Sequence, residues 1–383
     1  MGRAARVNSS STTHGLRRVG GVVPVVCGGG RCSQGRTPPA RPPPGHLQPF
    51  GAWSPGIPVE VRDDVPRPQE FFGRYCSADR GAGRPLVLRG AARRMPAMGW
   101  TDDRLLEKFA DARISDVEVG LKETRTGGRA EGFSDLGTFL AAYNRSDIHL
   151  VSSIPPAMSR EVELLPLLRC GGFLNFLGSS RLWISRGGSR SVVHKDDAEN
   201  VNCLLAGSKR FAMVHPRWRA KLEEHPNAPS PPDRFGYVDA RVDPSAPGYG
   251  AYFGRLDVDA MDLVRFPGWA DVEWYRADLQ AGDCLYIPRG WYHQVRAGPS
   301  RTVNAHVWYW RPLHFQPLDC APGDISRRGI RFSDCSWGYV PPVDGPTGEP
   351  RGVDRRSDGT RMRLTRCTRG GRHRWRRPLR HEL

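Results

Sequence analysis

Between residues 180 and 310 the apolar positions fall into short runs: RLWISR, SVVH, NVNCLL, KRFAMVH, ADLQ, CLYIP, WYHQV and RTVNAHVWYW. They are rich in β-branched and aromatic residues and bounded by Gly, Pro, Asp and Ser, which predicts closely spaced strands of an all-β sandwich or barrel. Upstream the period changes. PQEFFGRYCS (68–77) and TDDRLLEKFA (101–110) have helical spacing, with Thr101 placed to cap the second, and RPLVLRG (84–90) reads as a short strand between them. SDLGTFLAAYN (134–144) predicts another helix, IHLVSSI (148–154) a strand, and residues 159–168 a further helical segment. A mainly β domain with helices on its N-terminal side follows. The stretch 216–275 is Pro- and Asp-rich and predicts a loop insert with short helices.

Composition divides the chain. Residues 1–58 are rich in Gly, Pro, Ser and Arg, and the text after about 345 is polar and Arg-rich again, so both ends are expected to be unstructured. The expected domains are a disordered or targeting segment 1–58, a folded domain 59–315 and a C-terminal extension 316–383. The net charge of +17 belongs to the ends: residues 1–59 hold seven Arg and no acid, and residues 351–383 hold twelve Arg against three acids, leaving about +1 for the middle. A whole-protein electrostatic case for nucleic-acid binding therefore fails; the one route left is the Arg-rich tail with Trp375, for which a solvated tail is the plainer account.

The nine cysteines are scattered, odd in number and without a C-x-x-C pair, which speaks against zinc ribbons and against a disulfide framework. Cys203 in VNCLLAG and Cys284 in GDCLYIP read as small buried hydrophobes. A reducing intracellular setting, cytoplasmic or nuclear, is the default expectation; the acid-free N-terminus also fits organellar import. The apolar stretch GGVVPVVCGGG is short and broken by Pro24, a poor export signal, and RHEL at the end of the sequence resembles an ER-retrieval tail by chance. No run approaches the ~18 apolar residues of a membrane-spanning helix. Oligomeric state is not legible.

Chemistry enters at SVVHKDD, where His194 and Asp196 flank Lys195. Residues i and i+2 of a strand face one side, so an imidazole and a carboxylate project into one cavity. Alone, H-x-D is a weak signal. It gains weight from His293 in AGDCLYIPRGWYHQV, where an apolar strand, a tight turn and an aromatic strand put the imidazole inside the barrel. Two His and one carboxylate on one face of a metal leave positions open for a bidentate 2-oxo acid and O2, as in non-haem Fe(II) oxygenases. Lys209 in LLAGSKRFAMV follows a Gly turn and shares the parity of Phe211 and Met213, so its side chain faces the interior. A buried ammonium needs an anionic partner, which a bound carboxylate supplies.

HKDDAENVNCLLAGSKRF followed by LQAGDCLYIPRGWYHQV closely resembles the Jumonji-C oxygenases, in their cupin-like subgroup of small protein hydroxylases, over roughly residues 60–315. The resemblance implies a double-stranded β-helix (jelly-roll, cupin) core and an Fe(II)- and 2-oxoglutarate-dependent dioxygenase acting on a protein or peptide. It implies iron ligation by His194, Asp196 and His293. It also implies 2-oxoglutarate contacts from Lys209, fifteen residues after the first His, assisted by Asn200 and Ser191. Two positions depart from the pattern, though the resemblance places both at the 2-oxoglutarate pocket. His149 stands where the family often has a Tyr touching 2-oxoglutarate, and His306, with Asn304 two residues before it on the same face, where it commonly has an Asn; each keeps a hydrogen-bond donor for the co-substrate. The aromatics Trp291, Tyr292, Trp308, Tyr309 and Trp310 either line the substrate mouth or pack the barrel.

Two other functions compete with protein hydroxylation. Methyl-lysine demethylation uses the same chemistry on an N-methyl group, but the chain shows no chromatin-reader module. A catalytically silent cupin that binds RNA through its tail needs neither the triad nor Lys209.

Overall fold

Strands dominate the computed structural model, which describes residues 41–121, 130–196, 198–219, 257–264, 266–320, 335–340, 354–355 and 361–367, the last three ranges as backbone alone. In chain order they are β1 (Ile57–Pro58), β2 (Glu60–Arg62), β3 (Leu86–Leu88), β4 (Val117–Val119), β5 (Ile148–Ser153), β6 (Leu177–Ser185), β7 (His194–Lys195) and β8 (Glu199–Ala206). There follow β9 (Ser208–Val214), β10 (Trp274–Gln280), β11 (Cys284–Ile287), β12 (Tyr292–Ala297) and β13 (Thr302–Tyr309). A five-stranded sheet, β1-β10-β9-β12-β7, faces an eight-stranded sheet, β2-β3-β11-β8-β13-β6-β5-β4. This is the mainly β, jelly-roll arrangement expected of a cupin.

Alternation along the central strands sorts the two faces. Val201, Cys203 and Leu205 of β8, with Val303, Ala305 and Val307 of β13, join an outer layer with Phe71, Leu105, Leu136 and Phe139 from the helices. Those helices are α1 (Pro68–Phe71), which runs on into a π-turn at Phe72–Cys76, α2 (Asp102–Phe109), α3 (Leu136–Ala142) and α4 (Pro156–Ser159). Thr101 caps α2 by accepting from Arg104 N and Asp135 caps α3 by accepting from Thr138 N, each contributing about 1 kcal/mol. The helical segment expected at 159–168 is instead α4, which Pro156 starts earlier at its first position, and a separate 3-10 turn at Pro166–Leu168, since Pro166 has no N–H to continue a helix. Between the sheets, Leu204, Phe211, Met213, Leu279, Leu285, Ile287 and Trp291 close the apolar end of the interior.

Three expectations are corrected. The folded part takes in residues before 59: Leu47 N and Phe50 N donate to the carbonyls of Met261 and Val258, and Phe50 packs with Val258, Met261, Phe266 and Trp269. The later part of the expected loop insert, from Val258 to Trp274, thus forms a lateral cluster against Val193, Val214 and Tyr292. Second, Cys203 and Cys284 are not isolated thiols. They oppose each other across β8 and β11 with Cα atoms 4.0 Å apart and are joined, as are Cys170 and Cys320. Cross-strand register decides this pairing, and no local composition announces it. Third, two strand segments occur where an unstructured tail was expected, beyond about 345: β15 (Asp354–Arg355) and β16 (Arg361–Cys367) form a small antiparallel sheet with β14 (Cys335–Val340). The remainder of the Arg-rich tail, Trp375 and residues 1–40 lie outside the described residues.

Glu199, 1 % exposed, ties three elements together. It accepts from Tyr286 Oη at 2.6 Å, from Arg289 N at 3.1 Å and from Arg311 through both Nε and Nη2. Glu199→Ala leaves Arg311, whose side chain is 19 % exposed, without its carboxylate. We expect a loss of about 3–5 kcal/mol in urea unfolding; a change within ~0.5 kcal/mol, the level of an ordinary surface substitution, would show that the cluster does not hold β8 to the chain beyond β13.

Candidate metal centre

The polar end of the interior is built by the same alternation. Residues Asn200 and Asn202 of β8, His306 and Trp308 of β13, Trp183 of β6, His149 of β5 and Lys209 of β9 line one cavity, together with His194, Asp196 and His293. Strands β7 and β12 are antiparallel with His194 directly opposite His293, and the two rings lie 4.2 Å apart. Strand β7 is shorter than SVVH suggests, ending at Lys195; Asp196 comes just after it and its carbonyl accepts from Gly290 N at 2.9 Å. One ligand atom each from His194, Asp196 and His293 lies within 4.8 Å of the other two.

Both imidazoles are oriented by the backbone. His194 Nδ1 lies 3.0 Å from Val192 O, and His293 Nδ1 lies 3.0 Å from Trp291 O. A carbonyl only accepts, so each Nδ1 carries the hydrogen and each neutral ring keeps its lone pair on Nε2. That tautomer is the one a metal ligand needs. The carboxylate is held as well: Asn200 Nδ2 donates to Asp196 Oδ2 at 3.1 Å. Two imidazole nitrogens and one carboxylate converging on one point fit a first-row divalent ion with open positions, Fe(II) among them.

The other half of the cavity carries an electrostatic load. Lys209 is buried, its ammonium donates to Asn304 Oδ1 at 2.5 Å and lies 5.9 Å from the Trp183 ring centre. Burial pushes its pKa down to about 7, and among the described residues it forms no ion pair. Asn304 Nδ2 passes the network to Asn202 Oδ1 at 3.2 Å and to His306 Nε2. Burial, and next the Lys209 charge, hold the His306 pKa well below the usual histidine value, so this ring is neutral. The hairpin that aims Lys209 turns at Gly207, whose φ of +77° and a Cβ position 2.4 Å from Arg301 O both require glycine.

The structure thus brings His194, Asp196, His293, Asn200, Ser191, Lys209, His149 and His306 to one cavity, with Asn304 bridging Lys209 and His306. Ser191 Oγ is engaged by the backbone, accepting from Val295 N and donating to Val192 O. Of the five aromatics considered for the mouth, Trp308 alone lines the cavity, while Trp291, Tyr292 and Tyr309 belong to packed clusters. Sequence reasoning missed Asn202 and Trp183. Parity with Asn200 pointed to the first; for the second, the strand RLWISR offered no clue to which face was inner.

The description "Cupin-like domain" belongs to the family model that matches residues 147–314. Jumonji C domain-containing protein 5 of Drosophila melanogaster is 30% identical over 260 residues, 63% of this chain and 58% of the fly protein. The human bifunctional peptidase and (3S)-lysyl hydroxylase JMJD7 is 26% identical over 147 residues, 36% of this chain and 45% of the human one. The lysine-specific demethylase JMJ32 of Arabidopsis thaliana is 25% identical over 297 residues, covering 66% of this chain and 82% of the plant protein. The chain spans about half the length of the fly and human proteins.

Lys209 yields a stability test with a definite sign. With its pKa at about 7 in the folded state against 10.5 unfolded, the folded protein binds fewer protons between those values. Its burial therefore weighs fully against folding below pH 7 and is relieved as pH rises toward 10.5. Lys209→Met should stabilise the ligand-free protein at neutral pH by up to an order of 4 kcal/mol, an advantage that shrinks toward pH 10.5. Equal urea midpoints for the two proteins at neutral pH would contradict a buried, unpaired ammonium.

Proposed function

From the cupin-like domain of the Jumonji-C type that this chain carries, we propose that the protein is an Fe(II)- and 2-oxoglutarate-dependent dioxygenase that hydroxylates a side chain of a protein substrate. One observation carries the proposal: the backbone engages Nδ1 of both His194 and His293, leaving Nε2 of each to a ligand, while one ligand atom from each ring and from Asp196 converge within 4.8 Å. His194, Asp196 and His293 would hold the ion. Bound iron supplies the activation of O2 coupled to oxidative decarboxylation of 2-oxoglutarate to succinate.

The chain's own residues position and exclude. Lys209 receives the far carboxylate of 2-oxoglutarate, gaining the counter-ion that burial otherwise denies it. Asn304 and Asn202 keep the ammonium aimed, and Asn200 fixes the Asp196 carboxylate. Phe211, Ile287 and Val295 give the cavity apolar walls that keep water from the reacting centre. Leu121, Ser189 and Arg190 also line it, beside the edge strand β4. A second reading, removal of a methyl group from methyl-lysine, has in its favour the plant relative named a demethylase, of which this chain covers 82%. Both begin with the same hydroxylation.

Three measurements test the proposal. With Fe(II), 2-oxoglutarate and a peptide library, the protein should form succinate, and Asp196→Ala should reduce this to background. Mass spectrometry then separates the readings, since hydroxylation adds one oxygen and demethylation removes one methylene. Asn200→Ala should weaken Fe(II) binding by about 10–100-fold without unfolding the barrel. Chelator-insensitive turnover, or turnover unaffected by Asp196→Ala, excludes the assignment.

A further inference from the structure

The two ligand tethers are anchored differently. Val192 O, which engages His194 Nδ1, also accepts from Ser191 Oγ at 3.0 Å. Trp291 O, which engages His293 Nδ1, belongs to the residue just before β12, and pairing of that strand with β9 begins at Tyr292. Trp291 N closes the turn by donating to Pro288 O at 3.2 Å. Beyond that bond the corner is held by the Trp291 side chain, which is buried. Its indole Nε1 donates to Ala82 O at 3.0 Å. The His215 ring meets the indole edge-on, 4.8 Å between centres and at 72°, and Tyr275 of β10 meets it at 5.1 Å and 70°.

Ala82 lies in a loop whose shape is over-determined. Asp79 and Arg80 have φ of 49° and 52°, the left-handed region that a Cβ disfavours. Three contacts hold the loop there. Asp79 Oδ2 lies 2.6 Å from His215 Nε2, and Gly81 O accepts from Arg311 Nη1 at 2.7 Å. Gly83, at φ +75°, sits so close to Pro288 that a Cβ would come within 2.6 Å of its side chain. His215 is fixed as well. Its Nδ1 accepts from Arg217 N at 2.8 Å, so the neutral ring carries its hydrogen on Nε2, beside the Asp79 carboxylate. Burial keeps its pKa below the usual histidine value, in accord with that neutral ring. Unfavourable backbone of this kind persists where the surroundings impose it, and it clusters at functional sites.

We propose that Trp291 is a positioning residue for the metal: the 79–83 loop and His215 fix its indole, and the fixed indole keeps its carbonyl on Nδ1 of the distal ligand His293. The residues that line the cavity do not include Ala82, His215 or Trp291, so their influence on a bound ion passes through the ligand. This inference rests on the metal-centre reading and deepens it, by extending the support of one ligand to an outer loop and to the residue that follows β9.

Titration of the full-length protein with Co(II) tests it, because the visible bands of that ion report coordination geometry independently of turnover. Trp291→Phe keeps an aromatic body and removes the indole N–H. His215→Ala removes the ring that packs on the indole. Each should weaken Co(II) binding by about tenfold, the lower end for groups that orient ligands, and should alter the bands. His215→Phe returns a ring to the indole and should recover most of the loss. Thr101→Ala, which removes the cap of α2 in the outer helical layer, should keep wild-type affinity and bands. If Trp291→Phe fails to fold by circular dichroism, the two His215 variants decide. Unchanged affinity and bands in the folded variants, an equal loss in Thr101→Ala, or no recovery in His215→Phe overturns the proposal. Wild-type protein that binds no Co(II), or binds it no better than Asp196→Ala does, overturns the metal-centre reading itself, and this inference with it.

Discussion

Each of the two facing histidines gives its Nδ1 hydrogen to the carbonyl two residues earlier in its own strand region, His194 to Val192 and His293 to Trp291. The rest of the site depends on that repeated tether. It selects the tautomer, turns Nε2 inward and costs no side-chain partner. The tethers converge because β7 and β12 pair with His194 opposite His293. A one-residue slip would turn one ring to the other face of the sheet. Several packed features serve that register: Ser191 Oγ accepts from Val295 N, Gly290 N donates to Asp196 O, and Tyr292 and Val193 anchor the outer face in the lateral cluster.

The interior is divided between stability and function. Its apolar end, around Leu204, Phe211, Leu285 and Trp291, is an ordinary core. Its polar end holds an ammonium, two neutral-ring contacts and a chain of carboxamides in which Asn200 Oδ1 and the indole nitrogens of Trp183 and Trp308 lack partners. Unsatisfied buried groups of this kind are unfavourable in a finished core and expected where a ligand completes the bonding. The same contrast separates Glu199 from Lys209. The carboxylate is buried with four donors already in place, so it acts structurally, whereas the ammonium is buried with one amide oxygen and awaits a counter-ion.

Much of this was legible in the chain. Turn residues between β-rich runs located β5, β6 and β8 to β13, because period-two alternation is local and strong. His194, Asp196, His293 and Lys209 were accessible for the same reason: parity along one strand determines a face, and spacing does the rest. What escaped was non-local. The pairing of Cys203 with Cys284 is a property of β8–β11 register, and the partnership of Glu118 with His149 a property of β4–β5 register. Strand β4 is three residues long, too short for a periodic signal. The ordered stretch 43–58 looked unstructured because Phe50 and Trp53 are its few apolar anchors, and their partners lie more than two hundred residues away.

The central claim is that His194, Asp196 and His293 hold one iron whose open positions accept a 2-oxo acid. Anaerobic addition of Fe(II) and then 2-oxoglutarate tests it directly through the visible metal-to-ligand charge-transfer band that chelation of the 2-oxo acid produces. The account predicts a band that appears only with both components, saturates at one Fe(II) per chain and is absent in Asp196→Ala. A band of undiminished strength in that variant, or none in the wild type, contradicts it.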